Sequence, residues 1–299
     1  MYKYTIIIPH YNSNERLNVL LDSIPLDIRR DICVIVVDDH SDIHPSKTIR
    51  VKYNNLILLN NKFGKGAGGA RNTGLTVVDS EWVLFADSDD WFCDNAFSIL
   101  DEKSNNIDFD ICYFAPCSFD LINNKSGTRH RKIASLVDSY INSKSYDDEI
   151  KLSFTHYVPW SKLIKTKFII DNDIWFDETI IANDGMFSTK CSLKSEKILA
   201  SRLNIYCVTE SDNSLTKVKN SKNMTVRVEV FCRVYKLLPN DIKKIIGMNP
   251  LSLVYLSLSY GVKDAYGVLK ILHSNNVSLI KYFNLTSIQR RLSRLKIKL

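Results

Sequence analysis

Glycine and proline are scarce, 10 and 7 in 299 residues, which excludes collagen-like and low-complexity chains. No long apolar run is present: the longest, Leu251–Tyr260, carries three serines and is about half of the ~20 residues a membrane-spanning helix needs. A secretory leader is not expected, because residues 1–8 pass directly into the short run Thr5–Ile8 with no small-residue cleavage site. The seven cysteines (33, 93, 112, 117, 191, 207, 232) are odd in number and scattered, with no C-x-x-C pair. That pattern suggests neither a disulfide framework nor a zinc site and is compatible with a reducing cytoplasm.

What is present is a foldable chain. At 45% hydrophobic and 24% charged residues it is neither disordered nor fibrous, and its length suits a large α/β domain or a catalytic domain with an appendage. The formal charge of +7 conceals an asymmetry. Residues 216–299 hold 16 Lys/Arg against 3 Asp/Glu, whereas the remainder holds 24 against 30. An acidic body with a basic tail points to two jobs, one of them at an anionic surface.

Along residues 1–115, short apolar runs alternate with helical patterns. Tyr4–Ile8, Cys33–Val37, Leu56–Leu59, Trp82–Ala86 and Ile111–Phe114 read as buried strands. Leu17, Leu20, Leu21 and Ile24 share one helical face behind a cap at Asn12 or Ser13. This alternation specifies an α/β fold with a mixed, mostly parallel sheet flanked by helices. Residues 120–150 are polar and read as a surface loop, and helix-length segments near 222–238, 251–273 and 286–298 form a helical C-terminal extension. The expected division is 1–215, itself split into 1–115 and 116–215, and 216–299.

Polar clusters follow the strands directly, where ligands bind in such sheets: Pro9–Asn12, Asp38–Ser41 and Asp87–Asp90. Gathering Asp38, Asp39, Asp87, Asp89 and Asp90 at strand ends is costly without a cation or donor array. The D-x-D spacing at Asp87 and Asp89 suits Mg²⁺ or Mn²⁺ shared with a diphosphate; D-S-D-D is equally a helix cap.

Together P-H-Y-N (from Pro9), V-V-D-D-H-S-D (to Asp42), G-A-R-N-T-G-L (to Leu75) and F-A-D-S-D-D-W (to Trp91) resemble the nucleotide-sugar half of family 2 glycosyltransferases, inverting enzymes with the Rossmann-like GT-A fold. The resemblance covers residues 4–115 closely and 157–216 loosely. It implies that Pro9, Tyr11 and Asn12 line a nucleoside pocket with Glu15 near the ribose, and that Asp39 accepts from the base N–H. Arg71 would reach the base or diphosphate, Asp89 would ligate the metal, and Asp87 would bridge ribose and metal with Ser88 beside them. A carboxylate matches the N–H of uracil, and an Arg at a helix start suits phosphate. Tyr11 fits a rim aromatic as well as a stacking partner, and His10, in place of the family's small apolar residue, carries no assigned role.

Gly64–Gly69 matches G-x-G-x-x-G with Asp87 and Asp89 about 20 residues on, the dinucleotide fingerprint. That fingerprint belongs after the first strand, however, and here it follows the third. Its expected role is a loop, Gly66 included, whose glycines let backbone approach the nucleotide. Inverting transfer needs a carboxylate base. The family's acidic pair heading a helix reads Asn183-Asp184 here, which makes Asp184 the expected base, though N-D-G is also a turn signal. Trp160, Lys162 and Asn183 fall on the acceptor side, where Trp160 either stacks on a sugar or packs.

In residues 286–299, Ile288, Leu292, Leu295 and Leu299 form an apolar stripe, with Arg290, Arg291, Arg294, Lys296 and Lys298 on other faces. The stripe suits docking on an anionic membrane as well as packing on the protein itself. Nucleic acid is not expected as a partner, since the segment lacks stacking aromatics. The sequence thus reads as a cytoplasmic, peripherally membrane-associated enzyme moving a sugar, expected from a UDP donor, to a glycan or lipid-linked acceptor. A metal-dependent nucleotidyltransferase would want a Gly-rich basic loop after the first strand. A basic-tailed binding protein would leave the strand-end acids unexplained.

Overall fold

A computed structural model describes residues 1–50, 53–210 and 221–279, in two compact units, Met1–Ser214 and Leu215–Leu299. In the first unit a seven-stranded sheet has the order β10-β6-β9-β4-β1-β2-β3. Its strands are β1 (Tyr2–His10), β2 (Ile32–Asp38), β3 (Leu56–Asn60), β4 (Ser80–Phe85), β6 (Ile111–Phe114), β9 (Lys162–Lys165) and β10 (Ile198–Ser201). Pairing is parallel except at β9, which runs antiparallel to both β4 and β6. Four short strands form a second sheet in the order β5-β11-β7-β8: β5 (Trp91–Phe92), β7 (Cys117–Asp120), β8 (Lys125–Ser126) and β11 (Tyr206–Glu210).

The helices of this unit are α1 (Asn14–Asp22), α2 (Ala67–Leu75), α3 (Ala96–Asn106), α4 (Arg131–Ser143), α5 (Tyr146–Thr155), α6 (Thr166–Asp171) and α7 (Asp184–Lys194). Both faces of the large sheet are covered, so its strands read as continuous apolar runs. Alternation still sorts them: Tyr4, Ile6 and Ile8 join one core with Leu17, Leu20 and Leu21 of α1, whereas Ile7 joins the other with Val83, Phe85 and Phe187. Each fully buried Leu or Ile contributes about 1.5–3 kcal/mol.

Residues 120–150 are not a loop. They contain β8, α4 and the start of α5, and Ala134, Leu136, Val137, Tyr140 and Ile141 lay one face of α4 on the second core. The many Ser, Asp and Lys residues between them occupy the solvent face and mask the 3.6-residue period.

The second unit has α8 (Ser221–Leu237), α9 (Asn240–Ile245), α10 (Leu251–Leu258) and α11 (Val262–Ser274). Met224, Val228, Cys232, Val268 and Leu272 form its small core. The expected helix over 251–273 is broken in two at Gly261, whose φ of 143° is open to glycine and strained for other residues. Among the described residues no helix is long and apolar enough to cross a membrane. The basic segment 286–299 lies outside the described residues.

Candidate active site

The carboxyl ends of β1, β2 and β4 bring the polar clusters together, because parallel neighbours place His10 opposite Asp38 and Ile7 opposite Phe85. Asp38 and Asp39 part company there. Asp38 is buried and its Oδ1 lies 2.9 Å from His10 Nδ1, while the Ser41 N–H donates to Oδ2 at 3.0 Å. Burial opposes its charge, but the hydrogen bonds from Ser41 and His10 win and hold the carboxyl below its ordinary value. His10 Nε2 accepts from the Ser13 N–H at 3.4 Å, which leaves Nδ1 to donate to Asp38. His10 is therefore the residue that orients Asp38 at the mouth of the β1–α1 turn. Its position opposite an acid on the neighbouring strand was the available signal.

Asp39 is also buried and points to the glycine loop. Its Oδ1 accepts from Asn61 Nδ2 at 2.7 Å and its Oδ2 from the Gly66 N–H at 2.8 Å. Gly66 has φ of 116°, and a Cβ there would meet the Thr179 carbonyl oxygen at 3.3 Å. The loop is thus docked between Asp39 and the 177–183 segment, with the Gly64 N–H donating to Glu178 Oε2 at 2.6 Å. Lys65 Nζ lies 5.3 Å from the ring centre of the exposed Tyr11.

Asn12 does not cap α1: its N–H donates to Ser41 Oγ at 2.9 Å and its Nδ2 to Asp42 Oδ2 at 3.0 Å. Its φ of 47° is tolerated by Asn more readily than by most residues. Asn12, Glu15, Arg16 and Asp42 help line an open cavity of about 390 Å³. Pro9, the next-to-last residue of β1, is half-buried.

Beyond β4 the Asp87–Asp90 turn is held from behind. The Asp87 N–H donates to the Tyr206 hydroxyl at 2.8 Å, and the Thr209 N–H donates to Asp90 Oδ1 at 2.7 Å. Asp90 is buried and its carboxyl stands well above the ordinary range, through burial first and then the charges of Asp89 and Asp87. Asp89 is exposed, yet its carboxyl is also pushed up, by desolvation and then by Asp87. Ser88 is half-buried between them.

Arg71, 4% exposed, spans the site. Its Nη2 donates to Asp87 Oδ1 at 2.6 Å, its Nη1 donates to Asn183 Oδ1 at 2.9 Å, and its guanidinium lies 5.2 Å from the Phe176 ring centre. Its Nε is buried without a partner. Asn183 precedes α7, and Asp184 is the first residue of that helix, where the backbone dipole favours a negative group. The Asp184 carboxyl is nevertheless raised, by burial first, against the nearby Arg71 charge. α2 approaches this segment closely: a Cβ on Gly68 would sit 2.0 Å from the Asp177 carbonyl oxygen, so only glycine fits.

Trp160 and Lys162, both expected on the acceptor side, are buried. Trp160 is 2% exposed and stacks on Tyr206 at 5.7 Å, so of its two roles packing is the one its position permits. Lys162 is buried and spends its Nζ on the His156 carbonyl oxygen at 2.6 Å. Burial lowers it to about 8, against the opposing charges of Cys191 and Asp184. Trp160, just before β9, joins the first core, and Lys162 on β9 lies with its Nζ 5.2 Å from the ring centre of Tyr113 in the second.

Among the described residues no group of three or more His, Cys, Asp or Glu side chains converges on one point as a metal site. Asp87 and Asp89 do supply hard oxygens, and the raised Asp89 and Asp90 carboxyls mark a cluster short of positive charge. A divalent ion fits such a pair when a ligand's oxygens complete its shell.

A mostly parallel sheet with polar clusters at its strand ends is an α/β architecture whose ligands bind at the carboxyl ends of the strands. Residues 5–172 match the family described as Glycosyl transferase family 2, and the chain belongs to that family. Glycosyltransferase GlyA of Streptococcus pneumoniae is 29% identical over 249 residues, covering 80% of this chain and 35% of that protein. This chain spans about a third of the length of such curated relatives. In fold it is similar to S. aureus TarS 1–349 in complex with UDP-GlcNAc (TM-score 0.69, 20% identity, 91% of this chain and 80% of that one). It is also similar to the mannosyltransferase PcManGT from Pyrobaculum calidifontis in complex with GDP-Man and Mn²⁺ (TM-score 0.54, 15% identity, 92% and 76%).

Proposed function

We propose that this chain transfers a sugar, with inversion, from a UDP-sugar to a glycan or lipid-linked acceptor at a cell surface polymer. The observation that carries this reading is the Arg71 bridge, which ties Asp87 on the donor side to Asn183, the neighbour of Asp184. Pro9, Tyr11, Asn12 and Glu15 hold the nucleoside, and Asp39 offers a fixed acceptor to the uracil N–H once the Gly66 N–H gives way. TarS, a fold neighbour, is described with UDP-GlcNAc, which supports the donor class.

Asp184 takes the proton of the acceptor hydroxyl as that oxygen attacks the anomeric carbon. Its raised carboxyl places it nearer working pH, where a general base is most effective. Arg71 keeps Asn183, and with it the start of α7, in register with Asp87. Asp87 and Asp89 would hold Mg²⁺ or Mn²⁺, which when bound neutralises charge building on the departing diphosphate. Asp184→Asn is expected to abolish transfer and leave UDP binding intact, measured by product formation and by calorimetry. Near-normal turnover in that variant overturns the assignment of the base. Screening nucleotide sugars for Mn²⁺-dependent thermal stabilisation tests the donor class, and stabilisation by NAD alone would defeat it.

The cytoplasmic face of an anionic membrane is part of the same reading, through the basic stripe of residues 286–299. Full-length protein is expected to float with anionic liposomes, and a chain ending near residue 284 is not; equal flotation removes the membrane role of this segment.

A further inference from the structure

Cysteines far apart in sequence meet on the small sheet. Cys93 follows β5, and its N–H donates to the carbonyl of Ile205, the residue before β11, at 3.0 Å. Cys117 opens β7, and Cys207 on β11 is its parallel partner. All seven cysteines are free thiols; five are buried, and only Cys93 and Cys117 are half-buried. Those two have their sulfurs 3.6 Å apart.

We propose that Cys93 and Cys117 form an oxidisable dithiol, a modification site for low-molecular-weight disulfides, whose closure weakens the hold of the Asp87–Asp90 turn on the donor. The second clause rests on the donor-site reading above. Chemistry divides the two roles. Hydrogen bonds from Cys207 and then Cys93 hold the Cys117 thiol well below its ordinary value, with His130 adding to this, while the same contact raises Cys93. Cys117 is thus the attacking thiolate. It attacks one sulfur of oxidised glutathione, and a glutathione thiolate leaves. The Cys93 thiol then gives its proton to that thiolate or to water and attacks the Cys117 sulfur, expelling the second glutathione. Two thiols are oxidised by two electrons and one disulfide becomes two glutathiones.

The site touches the donor turn through the sheet. Cys93 lies three residues beyond Asp90, β5 pairs with β11, and β11 supplies both Tyr206, which receives the Asp87 N–H, and Thr209, which donates to Asp90. Bringing the sulfurs from 3.6 Å to bonding distance, about 2 Å, draws the end of β5 toward β7 and pulls on that turn.

The test uses the full chain, reduced or incubated with oxidised glutathione, with peptide mapping under non-reducing conditions. The expected product is a Cys93–Cys117 linked peptide; Cys93→Ser accumulates glutathione on Cys117, and Cys117→Ser gives neither product. No linked peptide, or one joining Cys117 to Cys207, overturns the assignment. Thermal stabilisation by UDP with Mn²⁺ reads the second clause: it is lost on oxidation, regained with dithiothreitol, and unaffected by the oxidant in Cys93→Ser. A linked peptide with unchanged stabilisation overturns that clause. A reduced protein that UDP fails to stabilise overturns the donor-site reading and the control clause with it, while the peptide map still decides the thiol pair.

Discussion

The two acidic strand ends, Asp38-Asp39 and Asp87–Asp90, look alike in sequence and are opposites electrostatically. In the first, every carboxylate oxygen has a donor from the protein: His10, Ser41, Asn61 and Gly66. The second has three carboxylates and, among the described residues, one ion pair, that of Arg71 with Asp87; burial first pushes Asp89 and Asp90 up, and then Asp87 adds to Asp89, and Asp89 and Asp87 to Asp90. A charge satisfied by its own fold serves to position; a charge left short of a partner calls for one from outside. The first cluster accordingly suits a rigid acceptor for a base, and the second suits a cationic ligand.

The largest test of this contrast removes the deficit itself. Asp87→Asn with Asp89→Asn is expected to eliminate Mn²⁺-dependent thermal stabilisation by UDP-sugars while the fold is kept; stabilisation equal to that of the unaltered protein would erase the distinction between the clusters. Asp39→Asn comes next. Its amide turns one acceptor into a donor, and the expected cost is about 1–3 kcal/mol of UDP affinity by calorimetry, with Mn²⁺ dependence retained.

Smaller in its effect on function is His10→Ala, which removes the donor to the buried Asp38 Oδ1 and leaves the Ser41 N–H on Oδ2, and is expected to cost about 1–3 kcal/mol of stability. A lowered denaturation midpoint with unaltered UDP binding is the expected pairing, and weakened UDP binding would show that the first cluster does more than position. The smallest effect is one of pH. Asp38 is held below its unfolded value, so its contribution is complete above that value and disappears as pH falls through the lowered one. Asp38→Asn should therefore flatten the acid limb of the stability curve below about pH 4, followed by denaturant midpoints across that range.

Much of this was legible before any coordinates. Buried strands announce themselves as uninterrupted apolar runs: Cys33–Val37 lies within β2, and Ile111–Phe114 coincides with β6. The amphipathic face of α1 was equally plain, since Leu17, Leu20 and Leu21 are all buried, as is Ile24 just beyond its end. α4 was hidden because its polar majority outweighs a stripe only a few residues wide, and the break at Gly261 was hidden by apolar residues on both sides. Of the expected acceptor residues, Trp160 and Lys162 are buried, and nothing local reveals it, because only the sheet order shows that β9 runs between β4 and β6.

By itself, then, the sequence determined the alternating α/β layering, the strand-end location of the acids and the family, because these depend on local periodicity and on residues adjacent in the chain. Tertiary structure alone decided which acids are satisfied, that His10 and Tyr206 stand behind them, that Arg71 joins Asp87 to Asn183, and that Cys93 and Cys117 meet. Each of these is a contact between residues 16 to 119 positions apart. Such contacts are set by sheet order and crossover geometry, and no short stretch of chain encodes either.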